Sequence, residues 1–251
     1  MMVSENNLVP ELLGKFRCLT PTQLQFLTKQ FFSRATLYRR LTKLKHAEIV
    51  NRVFPLFGPP FVYVLSEKGE TLVRGQDCAL NTPILRTHDI PHAVEVADIA
   101  IELFHYPKVV DIKLEHDFTD NIVRESFFNR RPDGIIDILT ASGRIAQVAL
   151  EVECSLKSHE RIKEILAKYE NTFKLGRCKG VVIVATQKWI FDAYKTHIRD
   201  LPEAVQNQIR LCEPKDILNL RESTFGKREN SVRIGCQNDV TKSHRLKSQN
   251  Q

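Results

Sequence analysis

The sequence has no closely spaced cysteines, no Gly-rich phosphate loop, no internal repeat and no run of eighteen apolar residues, and each absence removes a class of protein. Its six cysteines, Cys18, Cys78, Cys154, Cys178, Cys212 and Cys236, have no near neighbours of their own kind and no histidine at zinc-ligand spacing. That argues against a disulfide framework and against a structural zinc. The missing apolar run argues against a membrane-spanning helix, and the start Met-Met-Val-Ser-Glu-Asn-Asn lacks the basic region and apolar stretch of a signal peptide. The expectation is a cytoplasmic, soluble chain without membrane insertion.

What the chain has in excess is positive charge, a formal +7 over 251 residues. The surplus sits in the first eighty residues and the last thirty, around a near-neutral middle, a distribution that suits a polyanionic partner. The length admits one large domain or two small ones. Composition divides it into residues 1–80, residues 81–220 and a basic tail, 221–251, where Ser, Asn, Gln and Lys replace apolar periodicity and disorder is expected.

Residues 8–75 read as a winged helix-turn-helix. Thr20-Pro21-Thr22 supplies an N-cap and a first-turn proline for a helix carrying Leu24, Leu27 and Phe31. Ser33 caps a second helix, with Leu37, Leu41 and Leu44 on one stripe. Its other face carries Arg34, Thr36, Arg39, Arg40, Lys43 and Lys45, the residue types that reach bases and phosphates from a helix in the major groove. The β-rich runs 49–53 and 61–65, split by Gly58-Pro59-Pro60, read as a wing hairpin.

After a linker over 76–87 the expected order is a helix near 88–105, strands near 108–118, 133–139 and 145–153, a helix over 158–174, a buried strand at 180–185, a further helix and a short strand near 209–211. Two acidic segments stand out in it: Arg131-Pro132-Asp133-Gly134, and Ala149-Leu150-Glu151-Val152-Glu153 followed by Lys157. Strand alternation turns Glu151 and Glu153 to one face and Val148, Leu150 and Val152 to the other. With Asp133 on the neighbouring strand, the three carboxylates form an oxygen cluster of the kind Mg²⁺ or Mn²⁺ prefers. On this reading Asp133 and Glu151 ligate the metal, Glu153 ligates a second ion or orients water, and Lys157 stabilises charge on a phosphate. Glu95, His88 and His92 are accessory candidates on the preceding helix, the two histidines one helical turn apart. Asp137 is peripheral, and Tyr169 and Tyr194 read as structural tyrosines.

The order α-β-β-β-α-β, with Pro132-Asp133 and Glu151 in place, resembles the core of the restriction-endonuclease-like, PD-(D/E)xK, superfamily. The usual lysine position holds Glu153, and Lys157 is the nearest basic replacement. A winged helix ahead of such a core resembles the replication-relaxation group, and more narrowly the MobC-class plasmid mobilisation relaxases. The resemblance implies a bacterial, metal-dependent nickase, specific for site and strand. It would act on double-stranded plasmid DNA at a transfer origin, with relaxosome accessory proteins and a coupling protein as partners. The His-hydrophobic-His segment of the commoner relaxase type is missing here. The alternative is a non-catalytic DNA-binding regulator of replication or transcription with a degenerate nuclease-like domain, which Glu153 in place of lysine favours.

Overall fold

The computed structural model describes residues 7–75, 85–118, 130–140 and 142–219. Most of the expected linker, Ala141 between the expected strands 133–139 and 145–153, and the expected tail lie outside the described residues. Among the described residues the chain is a mixed α/β protein with two sheets and eight helices, and no helix is long and apolar enough to cross a membrane.

The first unit comprises α1 (Leu8–Phe16), β1 (Cys18–Leu19), α2 (Pro21–Thr28), α3 (Arg34–His46), β2 (Val50–Val53), β3 (Val62–Leu65) and α4 (Glu67–Arg74). Its sheet runs β1-β3-β2, antiparallel throughout. The capping residues act as their chemistry requires: Thr20 and Gln23 form a reciprocal capping box on α2, and the Ser33 hydroxyl accepts from the Thr36 amide at the start of α3. Leu24, Leu37 and Leu41 are buried, with Leu27 and Leu44 packed against them. Phe31 lies beyond the end of α2 and is exposed. Helix α1 and strand β1 had no counterpart in the sequence reading.

The second unit comprises α5 (Ile90–Phe104), β4 (Val109–Leu114), a 3₁₀ turn (Glu115–Asp117), β5 (Gly134–Leu139), β6 (Ile145–Glu153), α6 (His159–Lys174), β7 (Gly180–Ala185), α7 (Lys188–Arg199), α8 (Glu203–Gln206), β8 (Ile209–Cys212) and a closing 3₁₀ turn (Pro214–Asn219). The sheet runs β4-β5-β6-β7-β8, antiparallel up to β6 and parallel beyond it. One face packs Val148, Leu150 and Val152 against α5 residues such as Ala97 and Ala100. The other packs Ala149, Val181 and Ile183 under α6 and α7, against Ile162, Tyr169 and Tyr194. Strand β6 is therefore the centre of a sheet covered on both faces.

The units share one core. Leu13, Phe16, Leu19 and Leu24 belong to the same apolar cluster as Val96, Ile112 and Leu150. Polar contacts cross the same boundary: Arg74, which also donates to the Gly14 carbonyl of its own unit, pairs with Asp117 at 2.5 Å, the His116 ring meets that carbonyl at 2.9 Å, and Lys15 pairs with Asp111 at 3.3 Å. Gln23 reaches from α2 to the Val94 carbonyl at 3.2 Å and to Asp98 at 2.7 Å.

Candidate functional site

The acidic segments meet where β5 begins and β6 ends. Gly134 pairs with Leu150, so Asp133 stands beside the last residues of β6. Its Oδ2 accepts from the Val152 amide at 2.6 Å and its Oδ1 meets His92 Nε2 at 2.9 Å. His92 sits on the first turn of α5, and its Nδ1 lies 3.5 Å from Cys154 Sγ. Burial disfavours the charged ring, but its hydrogen bonds to Asp133 and Cys154 and the Asp133 charge outweigh that and raise its pKa to about 10. In its charged form the ring can donate from both nitrogens.

Glu151 and Glu153 point away from α5 and are 3 % and 1 % exposed beneath α6 and α7. Burial pushes the Glu151 carboxyl up, and Arg130 holds it back with two hydrogen bonds, Nε to Oε1 at 2.9 Å and Nη2 to Oε2 at 2.5 Å. The Tyr169 hydroxyl donates to the same carboxylate. Glu153 accepts from Lys157 and, at 2.6 Å, from the Tyr194 hydroxyl. Burial raises the pKa of both tyrosines, so each stays a protonated donor. Burial also works against the Lys157 charge, which Glu151 and Asp133 oppose.

The three carboxylates of the expected metal cluster do come together, but as partners of the chain's own cations. Asp133, Glu151 and Glu153 are matched by His92, Arg130 and Lys157 respectively. Among the described residues no group of three or more His, Cys, Asp or Glu side chains is placed to hold a metal ion. A divalent cation would have to compete with these hydrogen bonds and with the three internal cations for the carboxylate oxygens. The physical reason for the pairing is that helices cover the glutamate face of β6, where burying unpaired carboxylates would cost far more than burying paired ones.

The remaining candidates separate. His88 lies in the turn before α5 and not on the helix, paired with Asp89 at 3.3 Å in an exposed position, so it does not share a helical face with His92. Glu95 is exposed on α5; burial and Asp98 raise its pKa, while the His92 charge lowers it. Asp137 accepts from Gln147 at 3.1 Å, away from the centre. Sequence reasoning missed Arg130, Glu115 and Cys154. Glu115, just past β4, lines a cleft of about 660 Å³ with Arg17, Arg86, His92, His116 and Asp133, and its pKa is raised by burial and by the Asp133 charge. The signal for Glu115 was its place at the end of a strand adjacent to the one Asp133 begins.

On the other unit, α3 carries no acid in its thirteen residues. Arg34, Arg39, Lys43 and Lys45 are exposed, and Thr36 and Arg40 are partly covered. Arg39 donates to Thr36 at 3.3 Å, and the Arg40 guanidinium lies over the Phe32 ring at 4.2 Å. The helix thus buries its leucine stripe and turns a cationic face outward.

No curated protein and no solved structure matches the chain. The replication-relaxation family model matches residues 11–184, from the first helix to the fourth strand of the larger sheet and well over half of the sequence, and the chain belongs to that family.

Proposed function

We propose that the chain is a DNA-binding protein of replication or relaxation whose first unit is a winged helix-turn-helix that docks α3 on duplex DNA. The single observation that carries this is the acid-free basic face of α3 opposite a buried leucine stripe. Such a face attracts phosphates without sequence preference and places arginines where they can read base edges. The β2–β3 hairpin follows α3 directly, in the position of a wing. The shared core and the Arg74–Asp117 and Gln23–Asp98 contacts favour a fixed relation between the bound DNA and the second unit. That unit is read as a restriction-endonuclease-like scaffold whose acidic centre is neutralised internally, which fits the non-catalytic alternative better than metal-dependent cutting.

A second reading, nicking of one strand of plasmid DNA at a transfer origin, keeps one observation in its favour: Glu115, just past the end of β4, and Asp133, just ahead of its neighbour β5, both line the cleft. Two assays separate the readings. Fluorescence anisotropy with labelled duplex should show salt-dependent binding that Arg39→Ala weakens. Supercoiled plasmid carrying the native flanking DNA, incubated with Mg²⁺ or Mn²⁺, should stay supercoiled. Open circles formed by the parent and not by Asp133→Ala would replace the binding reading with the nickase.

A further inference from the structure

The last residue pair of interest is Cys154 and His92, which the DNA-binding reading does not use. Cys154 follows Glu153 at the end of β6, and strand alternation turns it to the opposite face, towards α5. There its sulfur lies 3.5 Å from His92 Nδ1, while the other ring nitrogen is held by Asp133 at 2.9 Å. Nucleophile, ring and orienting carboxylate thus stand in line, and the Val152 amide fixes the carboxylate in turn.

The other described cysteines are a contrast within the same chain. Cys18, Cys178 and Cys212 are buried, and burial raises Cys18 to about 12, Cys212 to about 11 and Cys178 above its usual value. Cys178 spends its sulfur on backbone carbonyls of Gln147 and Gly180. Cys154 is half-buried and is the thiol among these four that meets a histidine. Reactive cysteines sit beside a cation with partial exposure, and buried apolar ones are inert.

We propose that Cys154 is a nucleophilic thiol, activated by His92 and positioned by Asp133, and that it is a site of modification by soft electrophiles, with peroxide as the natural class. In that step the thiol gives its proton to His92 and the sulfur attacks one peroxide oxygen, so that an S–O bond forms and the O–O bond breaks. Sulfur is oxidised by two electrons to the sulfenic acid, the peroxide is reduced, and the His92 proton passes to the departing hydroxide to give water.

The test is competitive labelling of the folded full-length protein with limiting iodoacetamide at pH 7, read cysteine by cysteine by peptide mass spectrometry. Cys154 should label at least about tenfold faster than Cys18, Cys178 and Cys212, and His92→Gln should slow Cys154 by about tenfold while leaving those three unchanged. A parent rate for Cys154 no greater than theirs, or an unaltered rate in a folded His92→Gln variant, would overturn the proposal. A variant that unfolds will label all of them together. In that event dimedone trapping on the parent after peroxide decides the matter, since a sulfenic acid confined to Cys154 supports the site and none at Cys154 removes it.

Discussion

Arg130 grips the buried Glu151 carboxylate through both Nε and Nη2, from a position just ahead of the strand that begins after Asp133. Arg130→Met removes the counter-ion and leaves a charge 3 % exposed, which should cost about 3–5 kcal/mol. The double variant Arg130→Met with Glu151→Gln should regain most of that loss, because a neutral amide needs no counter-ion and its oxygen still accepts from Tyr169. Urea unfolding of the four proteins of the cycle measures the coupling. Simple additivity would mean that the pair is not an energetic unit.

The same charge matching predicts indifference to divalent metal. A site filled at one hundred times its dissociation constant would add about 2.7 kcal/mol, enough to raise the melting temperature by several degrees in a chain of this size. With His92, Arg130 and Lys157 already paired to the three carboxylates, millimolar Mn²⁺ or Mg²⁺ should leave the melting temperature within about a degree of its value in EDTA. A larger rise would mean that the ion displaces the internal cations.

His92 gives the protein a pH dependence of definite sign. Its folded pKa is raised to about 10, against about 6.5 for an unfolded histidine. The folded state therefore holds the proton more tightly, and stability from this group is complete below about pH 6.5 and drains away as pH rises towards 10. The urea midpoint should fall across that window in the parent and fall less in His92→Gln. Because His92 is partly exposed, solvent screening keeps the effect well below what the raw shift implies. Equal slopes in the two proteins would show that the ring is not bound to Asp133 in solution.

Much of this architecture was legible because local signals and tertiary packing agree. Thr20, Ser33 and Ser158 cap the helices they were expected to start, and residues 145–153 and 180–185 form strands of those bounds. The acidic centre was legible as a location and not as an environment. Alternation places Glu151 and Glu153 on one face, but only the three-dimensional stacking of α6 and α7 makes that face a buried one. Arg130 and the two tyrosines arrive from distant parts of the chain, where no spacing rule connects them with β6. His88 was misplaced because α5 begins at Ile90, with Pro91 in its first turn, two residues later than the periodicity suggested.

The basic face of α3 should act on DNA through counter-ion release. Arg39 and Lys43 are exposed, whereas Arg40 also packs on Phe32, so the first two are the cleaner probes. Replacing both by alanine should lower the slope of log affinity against log salt by about 0.9 for each phosphate contact removed, near 2 for the pair. Helix content by circular dichroism should be unchanged. A weakened affinity with the parental slope would place the phosphate contacts elsewhere on the protein.

Gln23 tests whether the two units are one folding body. Its side chain, 6 % exposed, closes the capping box of α2 through Oε1, 2.8 Å from the Thr20 amide, and reaches the second unit through Nε2, which donates to Val94 and Asp98. Gln23→Leu preserves bulk but strands buried polar partners, at a cost of about 1–3 kcal/mol. Gln23→Glu keeps the cap and sets a carboxylate where an amide donor faced Asp98, so it should be the worse variant at pH 7 and should recover as pH falls through the carboxylate range. Calorimetry should record a single transition for both, moved to lower temperature, because Leu13, Phe16 and Leu24 share a core with Val96 and Leu150. Two separated transitions in Gln23→Glu would show instead that the apolar contact between the units is too weak to couple their unfolding once this polar link is reversed.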